Sequence, residues 1–399
     1  MKRWRRRTVG ALSVLVTLGA VSAAPADWTT YNAAATRAYR EGRYAEAEEM
    51  LKAAVREGER SGPDDPRLAI ALNNLAELYR TRGKYDEAEP LYRRSLELLE
   101  QTLGPGHRHV GQGLNNLAAL YEARGRYREA EKLFRRSLEV LEKALGPRHP
   151  DVATSLGNLG ELYEAQGRYD EAEALLEPSL RILEQTLGSE HPEVAITLNK
   201  LGRVYNAQER LLQAEPLIRR SLAILQKTFG PGHPALAPSL NGLGLVYHAQ
   251  GRYVEAELLF RRVLTILQNA LRPNHPDVAR SLNNLGQAYR AQGRYADAEL
   301  AHRRALAIKE GTLGPEHPHV AESLSNLGTL YDAQGRYDEA EPLLRRAVAI
   351  LERTVGPVHP ALATSLENYA VLLRRTNREG EAETLEGRAR EIRHPFAKD

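Results

Sequence analysis

Residues 72–89 read LNNLAELYRTRGKYDEAE, and this stretch decides the fold. Leu72, Leu75, Ala76 and Tyr79 lie at positions i, i+3, i+4 and i+7, which places them on one face of an α-helix. Gly83 is the residue type that ends a helix where the chain must turn. The residues after it are predicted to start a second helix. The stretch is therefore predicted to form a helical hairpin.

Residues on both sides of the turn indicate where the two helices begin. Pro66 lies at the start of the first helix, where its missing N–H costs nothing. Asp65 precedes it, in the usual place for a side chain that accepts a backbone N–H. Asp86 and Glu89 have the spacing of a capping box and are predicted to start the second helix, with Pro90 in its first turn.

The hairpin pattern recurs every 42 residues along most of the chain. Histidine takes the place of Asp65 in later repeats, which predicts a capping or turn role for these histidines. Such a period is typical of a repeat array, in which each unit packs only against its neighbours. An array of similar units has no single deep site where unlike groups converge, so the pattern favours a binding surface over catalysis. The period is marked by His107-Arg108, His149-Pro150, His191-Pro192, His233-Pro234, His275-Pro276, His317-Pro318 and His359-Pro360.

Charged residues on the second helices are predicted to form ion pairs. Glu89 precedes Arg93 by four positions, a spacing that adds about 0.2–0.5 kcal/mol to an exposed helix. The Arg-Arg doublets that begin at this position suggest either a patch for an anionic partner or a solvated, ion-paired outer face. The second interpretation is favoured because each first arginine already has its glutamate. The same pair returns as Glu131–Arg135, Glu215–Arg219, Glu257–Arg261, Glu299–Arg303 and Glu341–Arg345.

The first 26 residues have the pattern of a secretory signal peptide. Five basic residues within positions 2–7 precede an apolar run at residues 9–21 and the small residues Ala24-Pro25-Ala26. The run is shorter than the roughly 20 residues of a membrane-spanning helix, which argues against an anchor. We expect a protein exported by this leader to the periplasm or the medium of a bacterium. The general secretion route and the twin-arginine route both remain open.

Removal of this leader changes the charge balance of the chain. The whole sequence has 55 basic and 52 acidic residues, but five of the basic ones and none of the acidic ones lie in the first 26 positions. The remainder carries a formal net charge of −2, which gives no support to nucleic-acid binding. The chain has no cysteine, so it suits an oxidising compartment without gaining a disulfide there.

No pattern in the sequence predicts a catalytic, cofactor or metal site. Successive repeats are displaced by about 10 Å, so His149 and His191 cannot share one ion whose ligands lie about 2 Å away. No phosphate-binding loop, His-Glu-x-x-His sequence or nucleophile elbow is present. We therefore predict a protein that is not an enzyme and has no cofactor.

The repeat unit resembles the 42-residue tetratricopeptide repeat (TPR) of the kinesin light chain type. The resemblance rests on residues 72–89, on the Arg-Arg-Ser-Leu that follows at residues 93–96, and on Leu-Gly-Pro-x-His-Pro at residues 145–150. It implies an all-α fold, a right-handed superhelical α-solenoid of about nine helical hairpins. Motor or cargo transport is not implied. The expected hairpins in residues 27–399 lie near 28–64, 66–106, 108–148, 150–190, 192–232, 234–274, 276–316, 318–358 and 360–394.

The resemblance also places the first helix of each hairpin on the inner, concave surface. Polar residues such as Asn73, Asn74, Glu77 and Arg80 lie off the apolar face of their helix and are expected to face a ligand. Asparagine has both a donor and an acceptor and suits the backbone of an extended peptide, although it equally suits bonds between neighbouring repeats. The candidate groove residues are Asn73, Asn74, Asn115, Asn116, Asn158, Asn199, Lys200, Arg203, Asn241, Asn283, Asn284, Arg290 and Asn326.

Basic residues in the middle of the proposed groove, Lys200, Arg203, Arg280 and Arg290, indicate the region for an anionic ligand. The expected function is a protein-protein interaction scaffold that holds extended peptide or protein segments. The alternatives are a structural component of the cell envelope and an accessory module for a separately encoded enzyme. The expected partner is a protein or peptide, with no nucleic acid and no membrane span after leader removal.

Overall fold

The computed structural model describes residues 26–62, 65–271 and 273–393, which form consecutive antiparallel helical hairpins. Residues 1–25 of the predicted leader lie outside the described part of the chain. Odd-numbered helices are the first helices of the hairpins and even-numbered ones the second, and a short 3₁₀ turn, Pro234–Leu236, precedes α11. The helices are α1 Ala26–Arg40, α2 Tyr44–Ser61, α3 Pro66–Thr81, α4 Tyr85–Leu103, α5 Arg108–Ala123, α6 Tyr127–Leu145, α7 Pro150–Ala165, α8 Tyr169–Leu187, α9 Pro192–Ala207, α10 Leu211–Phe229, α11 Ala237–Ala249, α12 Tyr253–Ala270, α13 Pro276–Ala291, α14 Tyr295–Leu313, α15 Pro318–Ala333, α16 Tyr337–Thr354, α17 Pro360–Arg375 and α18 Glu379–Arg393.

The histidines of the His-Pro pairs cap the first helices, as the sequence predicted. In His149, Nδ1 accepts a hydrogen bond from the backbone N–H of Asp151 at 3.0 Å, and Asp65 Oδ1 accepts one from Arg67 at 2.9 Å. An Nδ1 that accepts carries no proton, so the proton of each neutral imidazole lies on Nε2. The same bond is made by His107, His191, His233, His275, His317 and His359.

The predicted capping box at the start of α4 is wrong. The helix begins at Tyr85, the residue before it is Lys84, and no side chain caps the helix there. Asp86 therefore already lies inside the first turn, where it cannot accept the bond that a capping residue accepts. The Glu89 carboxylate instead bonds to Tyr121 of the next hairpin.

A three-residue contact recurs between neighbouring hairpins. In one example, Tyr163 donates its hydroxyl to Glu131 Oε1 at 2.9 Å, and Arg168 donates to Glu131 Oε2 at 3.1 Å while its guanidinium lies 3.9 Å from the centre of the Tyr163 ring. Glu131 also forms the predicted ion pair with Arg135, at 2.6 Å. This glutamate therefore stabilises its own helix and holds the following hairpin in place.

The first helices form the more tightly curved side of the array. Successive first helices, such as α3 and α5 or α13 and α15, contact one another directly, whereas no comparable contact joins successive second helices in the described residues. The side on which neighbours lie closer is the concave one. The inner surface is therefore formed by the first helices, as in the arrangement that the resemblance implied.

The superhelix completes a full turn within the described array, and the first hairpins touch the last ones. His317 donates from Nε2 to the backbone carbonyl of Thr81 at 3.1 Å, although 236 residues separate them. A methyl group added at Gly83 would lie 2.8 Å from Cδ2 of His317. Equivalent contacts join Gly42 to His275 and Gly125 to His359. The turns of the first three hairpins thus pack on the His-Pro loops about five and a half repeats later.

Two segments whose sequence departs from the repeat pattern still form the same helices and turn as the other hairpins. Helix α8 continues from Tyr169 to Leu187 through Pro178, so this proline does not divide it. Glu209 stands where all other hairpins except the last, which has Asn377, have glycine, and it adopts the same left-handed backbone, with φ of 60°. A residue with a Cβ is strained in that conformation, so this turn is less stable than its counterparts.

Candidate functional site

Two rows of side chains run along the inner surface and are called here the inner rows. Their members lie at equivalent positions of the first helices, 42 residues apart. The first row contains Glu77, Ala119, Glu161, Arg203, Leu245, Gln287, Thr329 and Val371, and the second contains Arg80, Glu122, Glu164, Asn206, His248, Arg290, Asp332 and Arg374.

Many of the candidate asparagines take part in bonds between neighbouring hairpins. Asn74 is 1% exposed and donates to Asn32 at 2.9 Å, and Asn116 donates to Asn73 at 2.8 Å. Asn284 donates to Asn241 at 3.3 Å in the same way. The expectation that Asn73 and Asn74 are displayed to a ligand is wrong, because the close approach of successive first helices covers them.

The other candidate asparagines differ in how far their amides are satisfied. Asn115 accepts from Ser155 at 3.3 Å, and Asn283 donates to Ser323 at 2.9 Å. Asn158 is half-buried. Two amides keep a buried atom without a hydrogen-bond partner, Oδ1 of Asn199 and Nδ2 of Asn326. Oδ1 of Asn199 lies against Gly242 of the next first helix, whereas Asn326 lines a pocket on the inner surface.

The basic residues Lys200 and Arg203 are already paired with acidic neighbours. Lys200 Nζ lies 2.8 Å from Glu161 Oε2, and Arg203 lies 3.0 Å from Glu164 Oε1. Burial opposes ionisation of Glu161, but Lys200 and Arg203 outweigh it and hold the pKa of that carboxyl below its ordinary value. The expected anionic-ligand region is therefore largely neutralised at these two positions, because the acidic early repeats lie directly beside the basic middle ones.

Glu77 and Arg80 form a buried pair and are not displayed to a ligand as expected. Arg80 donates from Nε and Nη2 to the two carboxylate oxygens of Glu77 at 2.9 and 2.8 Å, and Tyr92 donates its hydroxyl to the same group at 2.6 Å. The side chain of Glu77 is 2% exposed. Hydrogen bonds of this kind offset the cost of burying a polar or charged group.

Lys309 and Glu322 form another ion pair, which was not predicted, in which the lysine is buried and the glutamate side chain is 46% exposed. Lys309 Nζ donates to Glu322 Oε2 at 2.9 Å, and the lysine is 2% exposed. Burial alone would raise the pKa of Glu322, but Lys309 and His319 lower it to about 2. The sequence feature that could have indicated this pair is Lys309 itself, because the equivalent position in the other repeats is apolar.

Arg290 differs from the other basic residues of the inner surface. Arg280 is paired with Asp277 at 2.6 Å, but in the described part of the chain no carboxylate lies within 4.0 Å of the Arg290 guanidinium. Arg290 lines a polar pocket of about 180 Å³ between three successive first helices, α13, α15 and α17. The pocket is lined by Gln287, Arg290, His302, Asn326, Thr329 and Asn368.

The buried histidine of this pocket is neutral. His302 is 1% exposed, and burial, aided by the nearby Arg290 charge, lowers its pKa to about 4. Its Nδ1 lies 3.1 Å from Asn283 Oδ1, while the Asn283 amino group donates to Ser323. Nδ1 of His302 is therefore the protonated nitrogen, and Arg290 is the charged member of the pocket wall.

Two kinds of functional feature are absent from residues 26–62, 65–271 and 273–393. No helix there combines the length and apolar character that crossing a bilayer requires. No three acidic or histidine side chains there converge in a geometry that holds a metal ion.

Comparison with protein families identifies the repeat. A tetratricopeptide repeat model matches residues 27–101, 109–185, 153–226 and 193–269, and a second tetratricopeptide repeat model matches residues 278–319 and 320–361. Together these matches extend over most of the helical array. No curated protein matches the chain.

Solved structures with similar repeats cover different shares of the chain. The putative kinesin light chain nearly identical TPR-like repeats of Podosopora anserina are 34% identical over 52% of this chain and 98% of that one, with a TM-score of 0.42. BtubC (BKLC) from P. vanneervenii is 26% identical over 59% and 92%, with a TM-score of 0.45. A Rap protein complexed with Competence and Sporulation Factor is 12% identical over 93% and 98%, with a TM-score of 0.59, and shares the fold.

Proposed function

Because this chain belongs to the tetratricopeptide repeat family, we propose that it is a non-catalytic scaffold that binds an extended peptide or protein segment along its inner surface. The observation that carries the proposal is the inner surface itself, formed by successive first helices and lined by polar side chains at regular intervals. Such a surface offers the same kinds of contact at every repeat, which suits a ligand that is itself a repeating backbone.

Incompletely bonded amides support this proposal. Oδ1 of Asn199, Oδ1 of Asn206 and Nδ2 of Asn326 have no hydrogen-bond partner. A buried polar atom without a partner costs about 1–3 kcal/mol. A ligand gains affinity by supplying the missing bond only where it can reach the atom, and of the three residues Asn326 lines a pocket. The backbone of an extended segment has one donor and one acceptor at nearly every residue and is able to supply both kinds of bond.

The test compares two leucines that differ in the face on which they lie. Leu245 belongs to the first inner row and is 39% exposed, whereas Leu258 lies on the second helix α12 and is 63% exposed. Each is replaced by glutamate, and each variant is used to capture partners from the envelope fraction of its native cell. We expect Leu245→Glu to lose the partners that the wild-type protein retains, and Leu258→Glu to keep them.

Both substitutions lie at exposed positions, where changes in the free energy of unfolding stay within about 0.5 kcal/mol, and a circular-dichroism melt checks this. Capture that survives Leu245→Glu contradicts the proposal. Loss of capture with Leu258→Glu alone favours the other candidate function, a structural component that assembles through its outer face.

One observation favours that second candidate. Leu212, Val254, Leu258 and Leu300 are more than 60% exposed on the second helices of three consecutive hairpins, where other hairpins have charged residues or proline at most equivalent positions. Exposed apolar side chains grouped on one face mark a surface that contacts another molecule.

The protein is also proposed to be exported, on the basis of its first 26 residues. The basic segment, the short apolar run and Ala24-Pro25-Ala26 support cleavage before Asp27. Under this proposal the partners are proteins or peptides of the periplasm or the medium.

A further inference from the structure

Two arginines contact the tyrosine in most of the contacts between neighbouring hairpins. In one of them, Arg261 donates from Nη2 to the Tyr289 hydroxyl at 3.0 Å, and its Nε lies 2.9 Å from Glu257 Oε1. Arg294 lies over the ring of Tyr289, with its guanidinium carbon 4.3 Å from the ring centre. The tyrosine is therefore held by one arginine from the preceding hairpin and one from its own.

At the contact between α8 and α9, a glutamate takes the place of the first arginine. Glu177 stands two repeats, or 84 residues, before Arg261. Arg210 still lies over the ring of Tyr205 at 4.0 Å, and Tyr205 donates to Glu173 Oε1 at 2.9 Å. Two carboxylates four positions apart on α8 thus replace a carboxylate and its cation. The equivalent residues of the other hairpins that precede a further hairpin are all basic: Lys52, Arg93, Arg135, Arg219, Arg261, Arg303 and Arg345.

A pocket of about 500 Å³ opens at this place, between the second helices α8 and α10. The buried Tyr205 of α9 lies at its floor. One wall contains Glu177, which precedes Pro178, and the other contains Leu212, three residues after Glu209. None of the residues that line it belongs to the inner rows. The pocket therefore lies on the outer side, where the two segments whose sequence departs from the repeat pattern are opposite each other.

Apolar and acidic groups of the pocket together match an arginine side chain. Leu180, Leu212 and Leu217 offer apolar surface for a methylene stem. The Glu177 carboxylate and the Tyr205 hydroxyl offer acceptors for a planar guanidinium, which has five N–H donors. An anion would meet a like charge there, and an apolar side chain would cover the carboxylate without bonding to it.

The charges around the Tyr205 hydroxyl also favour a further cation. Burial, the Glu173 carboxylate and the more distant Glu177 charge raise the pKa of this hydroxyl, against the opposing effect of Arg210. Like charges four positions apart on a helix repel each other, so a cation placed between Glu173 and Glu177 relieves that repulsion.

The chain's own Arg181 holds Glu177 only loosely. Its Nη1 lies 3.8 Å from Glu177 Oε2, and the two side chains are 63% and 47% exposed. An exposed pair of this kind contributes little to stability, so a ligand displaces it at small cost.

We propose that the pocket between α8 and α10 binds an arginine side chain of a second protein partner, in the place that Arg261 fills in its own hairpin. The guanidinium bonds to Glu177 and to the Tyr205 hydroxyl, and the stem packs on Leu180 and Leu212. This site lies outside the inner rows and is independent of the proposed function. It gives the scaffold an outer contact that remains free while a segment occupies the inner surface.

Two variants alter the site by different routes. Glu177→Arg fills the pocket with an arginine of the chain itself, and it restores the residue type of the other hairpins, so it is expected to fold. Glu177→Gln removes the charge and leaves the pocket open. Glu97→Arg is the matched control, since it makes the same change of charge at an exposed position of α4. A circular-dichroism melt of each variant checks the fold.

The probe is a library of random nonapeptides with acetylated N-termini and amidated C-termini, so that charge comes from side chains alone. The library is passed over the immobilised full chain, and retained peptides are sequenced by mass spectrometry. Peptides that wild type retains and Glu177→Arg loses are the ligands of this pocket. Each is then made again with citrulline, a neutral group of nearly the same shape, in place of arginine, and dissociation constants are measured by fluorescence anisotropy.

We expect the peptides lost by Glu177→Arg to share an arginine and to be retained by Glu97→Arg. Their citrulline forms should bind wild type roughly 10- to 100-fold more weakly, the loss expected for charge-assisted hydrogen bonds. The arginine peptides should lose affinity for Glu177→Gln by a similar factor.

The inference is overturned if Glu177→Arg loses no peptide, if the lost peptides share no arginine, or if Glu97→Arg loses them as well. Equal affinity of the citrulline forms, or unchanged affinity for Glu177→Gln, also overturns it. None of these outcomes bears on the proposed function, which the comparison of Leu245→Glu with Leu258→Glu tests separately.

Discussion

The contact between the beginning and the end of the array predicts a difference between two chemically identical substitutions. Gly83 and Gly335 occupy the same place in their hairpins and have nearly the same backbone, with φ of 68° and 73°. A Cβ at Gly83 would lie 2.8 Å from Cδ2 of His317 and 3.3 Å from Cδ of Pro318, whereas a Cβ at Gly335 meets nothing within 4 Å. Gly83→Ala tests the contact, and Gly335→Ala is its control.

The expected magnitudes follow from these geometries. Alanine in the left-handed region costs about 1–2 kcal/mol at either position. Carbon atoms pack best at about 3.5–4.0 Å, so the new methyl group at Gly83 must also move His317 by several tenths of an ångström or more. Either the overpacked contact remains, at about 1–3 kcal/mol, or the turns separate and lose the bond from His317 to the Thr81 carbonyl, at about 0.5–1.5 kcal/mol. The less costly response limits the difference between the variants to about 1 kcal/mol.

Urea unfolding followed by circular dichroism measures the difference, and small-angle X-ray scattering measures the shape. Gly83→Ala is expected to be about 1 kcal/mol less stable than Gly335→Ala in either case, and separation of its turns would also give it a larger maximum dimension. Equal unfolding midpoints and superimposable scattering curves for the two variants would show that the Gly83 turn does not contact His317 in solution, because only Gly83→Ala perturbs that contact.

Of four further predictions, three concern single side chains and one concerns the leader. Burial, with smaller contributions from His319 and Lys309, lowers the pKa of His317 to about 3, so its neutral form stabilises the fold fully above the ordinary value of 6.5 and loses that effect as the pH falls toward 3. The variant His317→Asn should therefore show a smaller decrease in unfolding temperature between pH 7 and pH 4 than wild type, and an unchanged decrease contradicts this. Ser137 donates from its buried hydroxyl to the Gly111 carbonyl at 2.7 Å, so Ser137→Ala should lower the free energy of unfolding by about 1 kcal/mol in urea titrations, while the exposed Ser61→Ala should not. Glu209→Gly should raise that free energy by about 1 kcal/mol because it relieves the left-handed backbone at φ 60°, and no gain would mean that the glutamate is not strained there. Sequencing of the N-terminus of the exported protein should begin at Asp27, and a chain that retains Met1 contradicts the leader.

The features that the sequence predicted correctly are those that depend on short stretches of chain. The all-α class, the hairpin turns, the caps at the His-Pro pairs and the ion pair from Glu131 to Arg135 each follow from residues a few positions apart. Repetition supported these predictions, because the same local pattern recurs every 42 residues. The capping box at Asp86 failed because α4 begins one residue earlier, at Tyr85, and Glu89 accepts a hydrogen bond from Tyr121 of the next hairpin.

The features that the sequence did not predict depend on the rotation between neighbouring hairpins. That rotation determines whether an amide such as that of Asn116 faces the open inner surface or bonds to Asn73 of the preceding hairpin. The sequence of a single repeat does not determine the rotation. It also determines the pitch, because about five and a half small rotations must add up before Thr81 meets His317. The sequence shows that Gln287 takes the repeat position of Glu77, but only the structure shows that Arg80 forms an ion pair with Glu77.

The same pitch constrains how a partner reaches the inner surface. Three contacts between turns, at Gly42, Gly83 and Gly125, close the side of the superhelix where its beginning meets its end. The turn contacts are joined by an apolar one, since Leu313 at the end of α14 is buried in a cluster with Ala35, Tyr44 and Leu78 of the first hairpins. A segment enters either through an open end of the superhelix or while these contacts are transiently broken. In the second case the free energy of separating the turns makes the free energy of binding less favourable. Residues at these turns therefore change the affinity without contacting the ligand.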